Sequence, residues 1–179
     1  MFTVRRLRVG DLPRVLRIER ASFGPDAYSA STFMAHVLRD RKGLFVAQDE
    51  GGRITGYVLI RVGLGWIGAK RGGITSIAVD PAYRRQGVGR ALIARAIEHL
   101  REHGVDEADL EVGVTNRPAQ ALYEALGFRR TRLLPDYYGE NRDGIKMILE
   151  MGPDRVLAAE SGQPDAQPDS SGADHEHDA

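Results

Sequence analysis

The stretch Ile74-Thr75-Ser76-Ile77-Ala78-Val79-Asp80-Pro81-Ala82-Tyr83-Arg84-Arg85-Gln86-Gly87-Val88-Gly89-Arg90 decides the fold. Ile74 to Val79 is rich in β-branched residues and reads as a strand. Past it, Val88, Leu92, Ala96 and Leu100, with Ile93 and Ile97 beside them, recur at helical spacing and make one apolar face, which Gly104 can end. Between strand and helix lies Arg84-Arg85-Gln86-Gly87-Val88-Gly89. Gly87 and Gly89 let backbone N–H groups approach an anion closely, and the helix start adds partial positive charge and unsatisfied donors. Arg84, Arg85 and Arg90 add full charges. By itself the loop is an anion-binding helix start or an ordinary basic turn, so its neighbours must separate the two.

Working outward, Thr3 to Arg8 reads as a short strand. Asp11 is the expected N-cap of a helix carrying Leu12, Val15 and Leu16 inward. Glu19 falls on that stripe and reads as an ion-paired structural residue. A turn-rich stretch, Ser22 to Ser29, precedes a helix from Ser31 to Leu38. Leu44 to Gln48 and Ile54 to Val62 flank Asp49-Glu50-Gly51-Gly52-Arg53 as a β-hairpin. On the other side, Leu110 to Val114 alternates as a strand. Asn116 caps a short helix with Pro118 in its first turn, Ala119, Leu122, Tyr123 and Leu126 inward, and Gly127 as its stop. Strands near Phe128 to Leu133 and Gly144 to Glu150 complete the series. This order predicts a single α/β domain, a mixed sheet covered by helices on both sides, with crossover helices joining the strands at 74, 110 and 128.

A second glycine string, Gly63-Leu64-Gly65-Trp66-Ile67-Gly68, is a literal G-x-G-x-x-G after a strand. A dinucleotide fingerprint needs a helix at its end and a long crossover to a parallel strand. Only Ala69 to Gly73 intervene before Ile74, so the string reads as a glycine-rich hairpin loop.

Composition narrows the class further. With 42% hydrophobic residues, 179 residues suffice for one sizeable core. The formal net charge is zero, but 24 basic and 18 acidic residues precede Gly152 and one basic and seven acidic follow it, so a body of +6 carries a tail of −6. A modestly basic body suits a polyphosphate ligand and lacks the dense basic runs of a nucleic-acid surface. Cysteine is absent, which removes disulfides, thiolate metal sites and a cysteine nucleophile. No apolar run reaches the ~20 residues of a bilayer span, and Met1 to Gly10 lacks a signal-peptide core, so the expected location is the cytoplasm, with no membrane partner. From Pro153 onward the chain is rich in Pro, Gly, Ser and Asp. Residues 1–152 are therefore the expected domain and 153–179 an acidic disordered tail, in which His175-Glu176-His177 reads as part of an unfolded terminus.

The pattern Arg84-Arg85-Gln86-Gly87-Val88-Gly89 after Ile77-Ala78-Val79-Asp80-Pro81 resembles the coenzyme A motif of GNAT acetyltransferases. Leu110-Glu111-Val112, Thr115-Asn116, Ala121-Leu122-Tyr123-Glu124 and Gly127-Phe128 follow in the order of the RimI and archaeal Ard1-like branch, which acetylates protein amino termini. The similarity spans about residues 3 to 151. It implies the GNAT fold, with parallel strands near 77 and 110 splayed apart to admit acetyl-CoA, and no metal.

It also implies roles. Glu111, opposite Leu110, Val112 and Val114 on its strand, would be the general base, and Tyr123 would protonate the departing coenzyme A thiolate. Residues 84 to 90 would hold the pyrophosphate and the Ile77-Ala78-Val79 backbone the pantetheine, with the Val79 N–H polarising the thioester carbonyl. Asn116, a cap on structural grounds, would touch the cofactor too. Phe23, Tyr28, Tyr137 and Tyr138 would flank the incoming peptide amino terminus. Two departures stand out: Gly113 replaces the branch's usual arginine, and Pro25-Asp26-Ala27-Tyr28 replaces its Pro-Trp. The expected acceptor is a protein N-terminal amine, with a ribosomal protein among the candidates, and the expected assembly a monomer or weak dimer. A small amine or lysine acceptor would leave the donor half unchanged. A non-catalytic acyl-CoA sensor would not need Glu111 and Tyr123.

Overall fold

The apolar run Leu44-Phe45-Val46-Ala47 has no polar alternation because both of its faces are covered. The computed structural model, which describes residues 1–39, 43–64 and 70–152, places it in strand β2 (Leu44–Asp49). The other strands are β1 (Phe2–Arg6), β3 (Ile54–Leu64), β4 (Lys70–Val79), β5 (Glu107–Gly113), β6 (Arg129–Leu134) and β7 (Gly144–Glu150). The helices are α1 (Leu12–Phe23), α2 (Ala30–Arg39), α3 (Val88–Glu102) and α4 (Arg117–Glu124). Phe45 and Ala47 pack with Val58 and Ile60 under Leu92, Ile93 and Ala96 of α3. Leu44 and Val46 pack with Tyr57 and Leu59 under Val15 and Ile18 of α1 and Phe33 of α2. Side chains alternate across a pleated strand, so a sheet between two helical layers needs apolar residues at every position.

The seven strands form one sheet in the order β1-β2-β3-β4-β5-β7-β6. Among the described residues its one parallel pair is β4 with β5, joined by the α3 crossover, and every other neighbour is antiparallel. β3 and β4 pair down to Leu64↔Lys70, which makes the second glycine string part of a hairpin and rules out a parallel dinucleotide unit. Residues 65–69 lie outside the described residues.

The parallel pair is short. Arg71↔Glu107, Gly72↔Ala108 and Gly73↔Asp109 are matched, and beyond Gly73 the two strands separate. Leu59 pairs with Ser76 but Ile60 with Ile74, so Thr75 is an extra residue on β4. Such a bulge bends its strand at the point of divergence. Gly73 is required there, since a Cβ would lie 2.3 Å from the Asp109 carbonyl oxygen.

Three expectations change. Asp11 does not cap α1 with its side chain; its carboxylate accepts the Arg8 N–H at 2.7 Å and pairs with Arg5 at 2.7 Å. Pro13, in the first turn of α1, has no N–H for a cap to accept. β5 begins at Glu107, three residues earlier than its apolar pattern suggests, because Glu107 to Asp109 pair with both β4 and β7. β4 likewise begins at Lys70, well before Ile74.

Candidate active site

Where β4 and β5 part, a cavity of about 680 Å³ opens between them. Its β4 wall is Ile74 to Ile77 and its β5 wall is Leu110 to Gly113, with Tyr123 of α4 also facing it. The β4 edge is a hydrogen-bonding surface. The Asp80 N–H bonds back to the Thr55 carbonyl at 2.8 Å, and alternate amides of a strand point to opposite edges. The amides of Val79 and Ile77 therefore face the gap, as a pantetheine amide would require.

Past Val79 the chain turns through Pro81–Tyr83 into the loop 84–89. Gly87 sits at φ +83° as the N-cap of α3, with no side chain closing that helix end. The first backbone bond of α3 runs from Ala91 N–H to the Gly87 carbonyl at 3.1 Å. The Val88, Gly89 and Arg90 amides thus precede any intrahelical acceptor, and an anion fits them. A Cβ on Gly87 would meet nothing within 4 Å, so glycine serves its positive φ here, not packing. Arg84, Arg85, Gln86 and Arg90 are exposed around this start, while the Val88 side chain is in the core and only its amide faces outward. Arg84 Nε donates to the Val79 carbonyl at 3.2 Å, which carries the loop back to the β4 edge. The loop does not line the cavity; it lies beyond the end of β4, past Val79.

Tyr123 is 6% exposed, and burial pushes its phenol up to about 12. It stays protonated near neutrality, which is the state a proton donor needs. Gln120, fully buried, fixes the helix that carries it: Nε2 donates to the Gly113 and Val114 carbonyls at 2.8 and 2.9 Å, tying α4 to the end of β5. Asn116 caps α4 by accepting the Ala119 N–H at 3.3 Å and also faces the cavity.

Glu111 projects from the β5 face opposite Leu110 and Val112, and it lines the cavity. Lys146, directly across on β7, lies 3.8 Å from its carboxylate and 2.7 Å from Asp109, which Arg61 also engages at 2.6 Å. This charged cluster pins the sheet where β4 and β5 last pair. Sequence reading missed Gln120, Asp109, Arg61 and Lys146. Gln120 was detectable as a polar residue close to the apolar stripe of α4, and the Glu107-Asp109-Glu111 alternation marked an acidic strand face. Their partners come from distant segments.

Phe23 at the end of α1, Tyr28 in the turn after it, and Tyr137 and Tyr138 between β6 and β7 all line the cavity. Burial, then the Glu19 and Glu111 charges, raise the Tyr28 phenol; burial, then Tyr137 and Glu111, raise Tyr138. The turn after α1 and the loop between β6 and β7 are bridged at the mouth by Arg142, whose Nη1 and Nη2 donate to Asp26 at 2.5 and 3.1 Å. A side chain at Gly113 would point toward Tyr138, its Cβ 4.0 Å from that ring, so glycine there leaves room inside the cavity.

Glu19 corrects an expectation. It makes no ion pair among the described residues. Its buried carboxylate accepts the Tyr28 N–H at 2.9 Å and the Tyr57 hydroxyl, and it faces the cavity.

Comparison with known proteins agrees with this geometry. The model of the acetyltransferase (GNAT) family matches residues 12–128. An N-alpha-acetyltransferase of Sulfurisphaera tokodaii is 32% identical over 158 residues, covering 84% of this chain and 93% of that protein. The [ribosomal protein bS18]-alanine N-acetyltransferase of Escherichia coli K12 is 35% identical over 153 residues, covering 83% and 97%. The crystal structure of the ribosomal-protein-S18-alanine N-acetyltransferase from Escherichia coli superposes with a TM-score of 0.72 at 31% identity, covering 88% of this chain and 98% of that one.

Proposed function

The chain belongs to the GNAT acetyltransferase family, an acyltransferase fold that uses acetyl-CoA, and on that premise we propose that it acetylates the N-terminal α-amine of proteins. The observation that carries this reading is the cavity itself: Glu111 and Tyr123 face one space, between the free β4 edge and two aromatic loops. An extended peptide end fits between such loops, while acetyl-CoA lies along β4 with its pyrophosphate on the start of α3. A ribosomal protein is one acceptor suggested by the bacterial relatives.

Transfer is direct. The acceptor reaches the site as an ammonium with a reference pKa of roughly 7.7 to 8.0, so removing its proton near neutral pH needs only modest help. Glu111, directly or through a water, takes that proton. The amine nitrogen then bonds to the thioester carbonyl carbon, whose oxygen is polarised by the Val79 N–H. The carbon–sulfur bond breaks as Tyr123 gives its proton to the leaving thiolate; the second proton of the attacking nitrogen then restores the Tyr123 hydroxyl and Glu111 releases its proton to solvent, leaving the acetylated amine and free coenzyme A. Proximity and alignment supply much of the rate, because both substrates are held across one gap.

Residues 1–152 form the catalytic unit in this reading, as a monomer or weak dimer, and 153–179 are an acidic tail dispensable for transfer. No helix among the described residues is long and apolar enough to cross a membrane. The test is acetylation across amino-terminal peptides, lysine peptides and small amines, read by intact mass. Labelling at peptide N-termini is expected; labelling of small amines alone overturns the proposal.

A further inference from the structure

Glu19 is a buried acid without a cation. It is 1% exposed, at the floor of the acceptor cavity, and no Lys, Arg or His pairs with it among the described residues. A buried charge is normally paired, because desolvation is costly. Its two hydrogen bonds, from the Tyr28 N–H and the Tyr57 hydroxyl, use half of the roughly four acceptor positions of a carboxylate. Tyr57 is itself held by Ser76 of β4 at 2.8 Å. Three separate elements thus fix this carboxylate, leaving it acceptor capacity toward the cavity.

From this geometry we infer that Glu19 binds the acceptor as its ammonium ion, holding the cation at the cavity floor before Glu111 removes the proton. The inference rests on the reading of this cavity as the acceptor site and adds a residue that selects the charged form. Protonated amines bring the cation that Glu19 lacks, and neutral isosteres do not. The other groups facing the same space leave this role open. Tyr28, Tyr137 and Tyr138 are phenols raised by burial, so they bring no charge near neutrality. Glu111 is shared with Lys146, Asp26 is engaged by Arg142 at the mouth, and Asp143, half-buried, is tied into its own loop by accepting the Asp136 N–H at 2.9 Å.

The experiment uses the full chain, acetyl-CoA and an amino-terminal peptide, with Glu19→Gln as the variant. Glutamine keeps the shape and can still accept the Tyr28 N–H. At a pH of roughly 6.5 the peptide KM should rise about tenfold, as expected for one charge-assisted hydrogen bond, with the KM for acetyl-CoA unchanged. The difference should close above a pH of roughly 9, where the amine is neutral. A KM difference that is absent, or that stays constant across this range, overturns the inference; the constant case would mean that Glu19 only supports Tyr28. If the glutamine variant melts early, the wild-type chain decides alone. At low pH it should bind the amino-terminal peptide about tenfold more tightly than the des-amino peptide, and equal binding overturns the inference. If only small amines are acetylated, the proposed acceptor class fails, and the same comparison of those amines with their hydroxyl isosteres still decides the role of Glu19.

Discussion

The donor side and the acceptor side of the proposed site are built differently. The donor side is one continuous stretch, the β4 edge running through Arg84 to Arg90 into α3, and it presents backbone amides and exposed arginines. The acceptor side gathers single side chains from α1, the turn after it, β5, α4 and the loop before β7, around one cavity. Backbone recognition survives many substitutions, because the amides belong to the fold. Side-chain recognition fails one residue at a time.

The largest effects belong where the two sides meet. Glu111→Gln and Tyr123→Phe should each lower kcat by about 100- to 1,000-fold while leaving the affinity for acetyl-CoA intact, measured by steady-state kinetics beside calorimetric binding. Full activity in both variants would remove the assigned chemistry from the cavity. With its phenol at about 12, Tyr123 should set no alkaline limb in the kcat–pH profile below a pH of roughly 10.

An intermediate effect tests the backbone side. Gly87→Val forces a β-branched residue to φ +83°, which costs about 1–2 kcal/mol or distorts the start of α3. The KM for acetyl-CoA should rise about tenfold, with the peptide KM unchanged. A rise in both would mean that the two sides are not separable.

Smaller still is the clasp between the acceptor loops. Asp26→Asn breaks the bidentate contact with Arg142, an exposed pair that adds little to stability. The melting temperature should barely move, and the peptide KM should rise about twofold to threefold as the loops lose their tether. Removal of residues 153–179, the acidic segment proposed to be dispensable, should change neither kcat nor either KM beyond about twofold. A larger change would place it in the site.

Most of the fold was legible because its elements are local. The hairpin around Asp49–Arg53, the helix from Val88 and the cap at Asn116 are each specified by residues within a turn or two of one another. The ends that slipped, at Lys70 and Glu107, are polar residues made into strand only by pairing with partners far along the chain. In the site, Glu111 and Tyr123 were visible through an ordered set of motifs. Glu19 was visible but misassigned. On an apolar stripe a glutamate suggests an ion pair, and only the folded chain brings Tyr57 and the Tyr28 amide to it.

By itself, then, the sequence determined the order of strands and helices, the glycine-led start of α3 and the candidate acid and base. Each depends on periodicity, capping or backbone chemistry over a short span. Tertiary structure alone decided where the parallel strands part, through the Thr75 bulge and the close approach at Gly73, and which side chains share the resulting space. Those contacts join residues dozens of positions apart, whose distance in the chain carries no information about their distance in the fold.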